Sequence, residues 1–387
     1  MEYEGGSNER IKMTSKKVLI ICGQEIILER NDGGKQCSYR NYILLQQVFG
    51  EENVCLCMLT NCGEQSGKNI IRFPAHRSSV NRIINIIRGN LFTSDKTEKA
   101  IISLIKEEKF DIIFFERSMY GSIVDKIALQ KLSCEIWVFI HNIERNYFLN
   151  KIKHQSFLYM LPYFKIANSE RKTIYRADYI ITLTHRDSEL LKEVYQKGSN
   201  LVLPMSFHDV FKEEKIRVEE NKDKQEILFV GSMFPPNLDG IRWFINQVMV
   251  DLPECILKIV GKGFEYKRKE LERENVIVIG SVENLEEYYY SNNIMVMPIF
   301  YGDGIKVKTA EAMMYGKTIL ASDEALEGYQ TEGTEDIYRC NTKKDFLKAI
   351  KEISFRKQQG YSKNVRELFC SKYSLDNQIE ECRKMWN

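Results

Sequence analysis

Short runs of consecutive apolar residues, bounded by polar or glycine-containing stretches, recur along the chain. Lys17–Cys22 (KVLIIC) has the unbroken apolar character of a strand buried on both faces, as in parallel sheets. Val54–Leu59 (VCLCML), Asp111–Phe115 (DIIFF), Ile136–Ile140 (IWVFI) and Tyr179–Leu183 (YIITL) read the same way, with Leu201–Leu203 as a shorter candidate. Helical patterns lie between them, among them Tyr39–Gly50 (YRNYILLQQVFG) and Lys99–Phe110 (KAIISLIKEEKF). Thr184-His185-Arg186-Asp187 reads as a capping box opening the helix Ser188–Tyr195. The alternation then breaks at Ser206–Gln225, which is polar and dense in charge. It restarts with Ile227–Gly231 (ILFVG), a helix from Leu238, Leu257–Gly261 (LKIVG), Val276–Gly280 (VIVIG), Ile294–Pro298 (IMVMP), a helix near Val307–Tyr315, and Thr318–Ala321. Two successive strand–helix series predict two similar doubly wound α/β domains facing a cleft. The expected division is a disordered tail over 1–16, a first domain over 17–206, a linker over 207–225, a second domain over 226–355, and C-terminal helices over 356–387.

A length of 387 residues suits two domains rather than one. Lys plus Arg total 56 against 54 Asp plus Glu, a net of +2, which argues against a dedicated nucleic-acid binder. The balance conceals an asymmetry. Residues 1–206 hold 29 basic and 23 acidic side chains and the remainder 27 and 31, so the halves carry +6 and −4. A cleft between such halves could take an anionic ligand. The ten cysteines show no metal-ligand spacing and read as reduced, buried thiols of a cytosolic protein. The polar first sixteen residues predict no signal peptide. No uncharged apolar run approaches the ~18 residues of a membrane span.

Candidate chemistry concentrates in Pro298–Gly316 (PIFYGDGIKVKTAEAMMYG). A strand ends at Pro298, Gly302-Asp303-Gly304 allows a tight turn, and a helix is expected from Ile305. The free N–H groups of that helix start, with the helix dipole, suit a phosphate. Lys306 and Lys308 add positive charge where the dipole alone disfavours it, which makes sense if an anion binds there. Asp303 and Glu311 lie eight positions apart, so one carboxylate could face a ligand beyond the phosphates while the other accepts hydrogen bonds from vicinal hydroxyls. A surface helix with a solvated Lys–Glu face remains an equal reading of the spacing alone.

The stretch resembles the Glu-x7-Glu signature of retaining GT-B glycosyltransferases of family four, with Asp303 in the first acidic place. ILFVGSMFPPNLDGIRWFINQV, LKIVGKG, VIVIGSVENLEEYYYSNNIMVMP and KTILASDEALEG are similar to that family's second domain, in the same order. RELFCSKYSLDNQIEECRKMW resembles its closing helix, which returns to the first domain. The resemblance implies a GT-B fold of two Rossmann-like domains. It implies transfer of sugar from a nucleoside diphosphate sugar, a UDP-sugar or else a GDP-sugar, to a carbohydrate or lipid-linked acceptor. That transfer would proceed with retention and without a metal or other cofactor, as in surface polysaccharide synthesis at the inner face of a membrane. It assigns Glu311 to the ribose, Asp303 to the donor sugar, and the backbone from Gly302 through Gly304 and Ile305 to Lys306 to the diphosphate. Gly280 and Val282 would flank the base, Ser232 would open the nucleotide loop, Gly33 and Gly34 would lie near the donor phosphates, and His141 would bond the sugar near the reacting carbon. Two departures stand out. Asp303 is shorter than the usual Glu. Ser232–Asn237 (SMFPPN) also lacks the Arg and Lys that many relatives place there, so Lys306 and Lys308 are expected to supply that charge.

Competing motifs are weak. Gly-x-Gly-x-x-Gly after the first strand is absent, no Asp-x-Asp pair is present to hold a GT-A metal, and no Gly-x-Ser-x-Gly follows a strand. A GT-B epimerase or phosphorylase, or a non-catalytic nucleotide-sugar binder, would share the pattern. His141, directly after IWVFI, reads either as a ligand contact at a strand end or as a core-edge histidine. Glu144 and Glu170 read as structural. Residues 147–176 hold six Lys or Arg, one acid and seven Phe or Tyr. Such a stretch is either a helix pair with aromatics in the core or a peripheral contact with an anionic membrane.

Overall fold

The computed structural model describes residues 16–28, 33–60, 67–74, 93–154, 159–216, 224–302, 304–354 and 360–386. The expected disordered tail lies outside them apart from Lys16, as does Asp303. The chain forms two compact units, one of Met1–Ile181, Leu191–Leu201 and Ile379–Asn387, the other of Thr182–Leu190 and Val202–Gln378.

The first sheet comprises β1 (Val18–Cys22), β2 (Val54–Leu59), β3 (Ile70–Phe73), β4 (Ile112–Glu116), β5 (Glu135–Ile140), β6 (Tyr179–Thr182) and β7 (Leu201–Val202), in the order β3-β2-β1-β4-β5-β6-β7. β1 pairs in parallel with both β2 and β4, with Leu19 opposite Cys55 and Ile113. Val18, Leu19, Ile20 and Ile21 lose all contact with water. Both faces of β1 are therefore covered, which explains why its sequence is unbroken rather than alternating. Each such side chain contributes about 1.5–3 kcal/mol of hydrophobic burial. The strand order reverses between β1 and β4. In open α/β sheets that reversal leaves a crevice at the carboxyl ends of the two strands, where ligands bind. α1 (Gly33–Phe49) follows β1, while α2 (Glu144–His154) and α3 (Met160–Arg176) follow β5.

The second sheet comprises β8 (Gln225–Val230), β9 (Cys255–Val260), β10 (Val276–Gly280), β11 (Ile294–Met297), β12 (Thr318–Ala321) and β13 (Ile337–Arg339). Its order is β10-β9-β8-β11-β12-β13, with every neighbouring pair parallel. Ile227 and Phe229 enter one core and Leu228 and Val230 the other, so β8 too is buried on both faces. Its switch point lies between β8 and β11. α4 (Pro235–Gln247) begins just past β8 with proline in its first turn, where the missing N–H costs nothing. Gly240 lets this helix lie on the end of β11, since a β-carbon there would stand 1.8 Å from the Pro298 carbonyl oxygen. α5 (Val307–Met314) follows β11.

Part of the segment expected as a linker packs on the second unit, with Phe207, Phe211 and Ile216 against its core; residues 217–223 lie outside the described ones. The last helix, α6 (Leu375–Trp386), delivers Trp386 into the first unit. There the indole stacks on Phe49 (6.1 Å between centroids, 7° between planes) and meets Trp137 edge-on at 5.0 Å. Among the described residues no helix is long and apolar enough to cross a membrane.

Candidate functional site

At the switch point of the second sheet, glycines bring three loops together. Gly261, at φ +144° just past β9, would place a β-carbon 1.9 Å from the Gly231 carbonyl oxygen just past β8. Gly231 in turn leaves room for Lys308, whose Nζ would stand 2.7 Å from a β-carbon there. The Lys308 ammonium donates to Asn237 Oδ1 at 2.6 Å and lies 5.0 Å from the Phe229 ring centroid. Asn237 is oriented by its own bond to the Ser232 carbonyl at 2.8 Å. One turn along α5, Glu311 accepts a hydrogen bond from Tyr289 Oη at 3.3 Å. Tyr289 is held by a parallel stack on Tyr315 at 4.5 Å. Desolvation, with the neighbouring Lys306 charge, pushes the Lys308 ammonium down to about 7. Desolvation pushes the Glu311 carboxyl up to about 7, against the pull of Tyr289 and Lys308. A half-buried ammonium and carboxyl on one helix face, both poised near neutrality, form a site whose charge a bound charged ligand would shift.

α5 starts at Val307, two residues later than the spacing suggests. Gly302 (φ +137°) and Gly304 (φ +73°) hold the loop in the left-handed region, and Lys306 is still extended at φ −93° and ψ 96°. Lys306 is committed locally: its Nζ donates to the Gly304 carbonyl and to Glu324 Oε1, both at 2.7 Å. The two lysines therefore differ. Lys306 ties down the loop through an ion pair, whereas Lys308 is held by a neutral amide. Ile305 packs against the core beneath the loop, as does Val282. Gly280 (φ +83°) accepts from the Gly261 N–H at 2.7 Å and fixes the ends of β9 and β10 together. Ser232 is exposed at the mouth of the β8–α4 loop, followed by the exposed apolar pair Met233 and Phe234.

In the first unit, Gly33 and Gly34 form the start of α1. Further along, this helix carries Ser38 and Asn41 to the end of β4, where the sheet reverses. The residue they meet, Glu116, was not anticipated. It is the last residue of β4 and 1% exposed. Its Oε1 accepts from Asn41 Nδ2 at 2.9 Å, and its Oε2 accepts from Ser38 Oγ at 2.9 Å and pairs with His141 Nε2 at 2.7 Å. The only signal in the sequence was an acid closing an apolar run (DIIFFE), which reads equally well as a strand leaving the core. His141 follows β5 directly, is 5% exposed, and packs edge-on against Phe139. Glu170, on α3, holds the start of α2. It accepts from the backbone N–H of Glu144 and Arg145 at 2.8 and 3.0 Å, and from Ser118 Oγ and Tyr195 Oη at 2.7 Å each. Glu144 lies 4.0 Å from Arg117.

Two doubly wound parallel sheets, each with polar groups at its switch point, define the GT-B fold. Residues 224–354 match the family model described as glycosyl transferases group 1. The chain is 27% identical over 42% of its length to an uncharacterized 44.6 kDa protein in the cps region of Klebsiella pneumoniae, and the match spans 44% of that relative. Among solved structures it is similar to sucrose-phosphate synthase from Thermosynechococcus elongatus, with a TM-score of 0.69, 15% identity, and 96% and 98% of the two chains covered. It is also similar to HepE of Anabaena in complex with UDP and glucose, with a TM-score of 0.63, 11% identity, and 96% and 99% covered. The chain thus has the fold of the GT-B glycosyltransferases, and its second unit is similar to the group 1 enzymes.

Proposed function

We propose that the chain is a glycosyltransferase that moves a sugar from a nucleoside diphosphate sugar to a carbohydrate or lipid-linked glycan in the synthesis of a surface polysaccharide. The observation that carries this reading is the set Lys308, Asn237 and Glu311 at the β8/β11 switch point, inside the segment that matches the glycosyl transferase family. In this reading Lys308 and the backbone from Gly302 through Gly304 and Ile305 to Lys306 hold the diphosphate, with Ser232 at the mouth of the loop. Glu311 accepts the ribose hydroxyls, Gly280 and Val282 flank the base, and Gly33 and Gly34 approach the phosphates. Asp303 and His141 contact the sugar. The transfer proceeds with retention and without a divalent ion. Rate enhancement then rests on positioning and on stabilising the departing diphosphate with fixed donors. HepE, a structural neighbour in complex with UDP and glucose, makes UDP the first nucleotide to try, with GDP second. The cps-region relative supports the polysaccharide assignment.

Calorimetric titration of the purified chain with UDP, GDP, ADP and NAD tests the reading. One nucleoside diphosphate is expected to bind, with NAD silent. No heat from any of the four would remove the nucleotide-sugar assignment while leaving the fold untouched.

A lipid-linked acceptor would require the enzyme to reach a membrane surface. α3 exposes Met160, Phe164 and Tyr175 alongside Lys165 and Arg171, a basic and aromatic face suited to anionic headgroups. The chain is expected to float with phosphatidylglycerol vesicles and not with phosphatidylcholine vesicles. Absence from the anionic vesicle fraction would discard the membrane contact.

A further inference from the structure

We propose that Glu116 is the positioning residue of His141, holding its Nε2–H and leaving Nδ1 to accept a hydrogen bond from a donor-sugar hydroxyl. This rests on the reading of His141 as a sugar contact and deepens it by naming which nitrogen acts and why.

A carboxylate excluded from water is costly unless donors compensate its charge. Glu116 has two, Asn41 on Oε1 and Ser38 on Oε2, and Oε2 shares a further hydrogen with His141 Nε2. The Asn41 amide and the Ser38 hydroxyl both donate to the carboxyl, which favours its charged form, so the side chain is ionised at neutral pH. An ionised carboxylate has no hydrogen to give, and the one shared at 2.7 Å with His141 therefore sits on Nε2. Burial raises the Glu116 pKa, but the hydrogen bonds it shares with His141, Asn41 and Ser38 outweigh it and bring the group below the usual range. Burial also holds His141 below its ordinary pKa; Glu116 pulls it upward and the Arg117 and Arg40 guanidiniums push it down. The neighbouring thiols of Cys22 and Cys37 are driven up by burial, to about 12 and about 11, and stay uncharged. The ring is therefore neutral at pH 7, with one protonated nitrogen facing Glu116 and a lone pair on the other. Among the described residues Nδ1 has no hydrogen-bond partner, whereas Nε2 has Glu116 at 2.7 Å and Ser38 Oγ at 3.5 Å. The Phe139 ring, edge-on at 5.3 Å, fixes the plane of the imidazole. A neutral histidine held this way can accept from a hydroxyl at Nδ1 but cannot donate to one.

The test joins a spectrum to a binding increment. Long-range proton–nitrogen correlation on the 15N-labelled full chain at pH 7.5, with His141 assigned by its loss in His141→Asn, is expected to show a protonated Nε2 and a bare Nδ1. The increment is the ratio of the Kd for UDP to that for UDP-glucose. In Glu116→Ala the tautomer should become mixed, and the increment should fall by about tenfold, the order seen when an orienting partner is removed. The Kd for UDP itself should move less than about twofold. Glu116→Gln keeps an acceptor oxygen and should restore both the tautomer and most of the increment. A bare Nε2 in the unaltered chain overturns the proposal without recourse to any Glu116 variant, so a failure of Glu116→Ala to fold leaves it decidable. Loss of the increment in His141→Asn but not in Glu116→Ala also overturns it. If His141→Asn itself keeps the increment, or UDP-glucose binds no better than UDP, the sugar-contact reading has failed, and the spectrum alone still decides what Glu116 does.

Discussion

Replacing Lys308 with methionine is expected to raise the Kd for UDP by roughly 10- to 150-fold, with the fold intact. A hydrogen bond to a charged group is worth about 1.5–3 kcal/mol, and each 1.4 kcal/mol is tenfold in affinity. Methionine keeps an unbranched side chain of similar length and removes the ammonium that Asn237 orients and that lies 5.0 Å from the Phe229 ring centroid. The β8–α4 loop contains no Arg or Lys to substitute, and Lys306 is engaged by Glu324. The same residue sets a pH dependence. In the free protein Lys308 is pushed down to about 7, so half of the population carries no charge at neutrality. A bound diphosphate favours the ammonium and raises its pKa in the complex. The lysine's contribution to affinity is therefore full well below pH 7 and falls as pH rises through 7, by up to tenfold per unit until the pKa of the complex is reached. The window pH 7–9 isolates this limb, because a nucleotide's terminal phosphate has a pKa of about 6 and is already ionised there. Glu311, pushed up to about 7, works in the opposite sense, gaining acceptor strength as pH rises. Glu311→Gln removes that compensation and should steepen the fall. Calorimetry across pH 7–9 with the unaltered chain, Lys308→Met and Glu311→Gln checks all three. An unchanged Kd in Lys308→Met would sink the assignment of the diphosphate to this lysine.

Much of this frame could be read from the chain because parallel strands buried on both faces announce themselves. KVLIIC and ILFVG have no polar residue to spare, and the structure covers both sides of each. The edge strands β3 (IIRF) and β13 (IYR) escaped notice because they are short, half-buried or exposed, and carry a charge, so neither signal of a strand was present. The start of α5 reads two ways in the sequence, at Val307 from the alternation and at Ile305 from the glycine turn, and the structure has it at Val307. Lys306 has ordinary helix propensity, and only the left-handed glycines at 302 and 304 and the bond of Lys306 to Glu324 hold it out of the helix. Glu116 illustrates the deeper limit. Its partners Ser38 and Asn41 are 78 and 75 residues away, and no local pattern can join an acid at one strand end to a helix that follows another. The motif in the second unit was visible because its parts are neighbours in sequence; the Glu116–His141 pair is made by topology alone.

The largest effect on stability is expected at Gly261. An alanine there must adopt φ +144°, a region that costs a residue with a β-carbon about 1–3 kcal/mol. Its β-carbon would also lie 1.9 Å from the Gly231 carbonyl oxygen, so the loops after β8 and β9 would have to part by more than an ångström. Forcing extra atoms into a packed site costs about 1–3 kcal/mol more. The Gly261 N–H meanwhile donates to Gly280, which prevents the loop from moving independently of β10. Gly261→Ala should therefore destabilise the second unit by about 3 kcal/mol or more, seen as a lower unfolding temperature in scanning calorimetry. It should also weaken UDP binding, because Gly231 is the floor beneath Lys308. Gly333 supplies the control: it too has positive φ, +77°, but a β-carbon there would meet nothing within 4 Å. Gly333→Ala should cost only the backbone strain, about 1 kcal/mol, and leave UDP binding unchanged. If the two variants melt together, close approach of the β8 and β9 loops is not what requires glycine at 261. If Gly261→Ala melts early yet binds UDP normally once folded, the loops shape the fold without shaping the site.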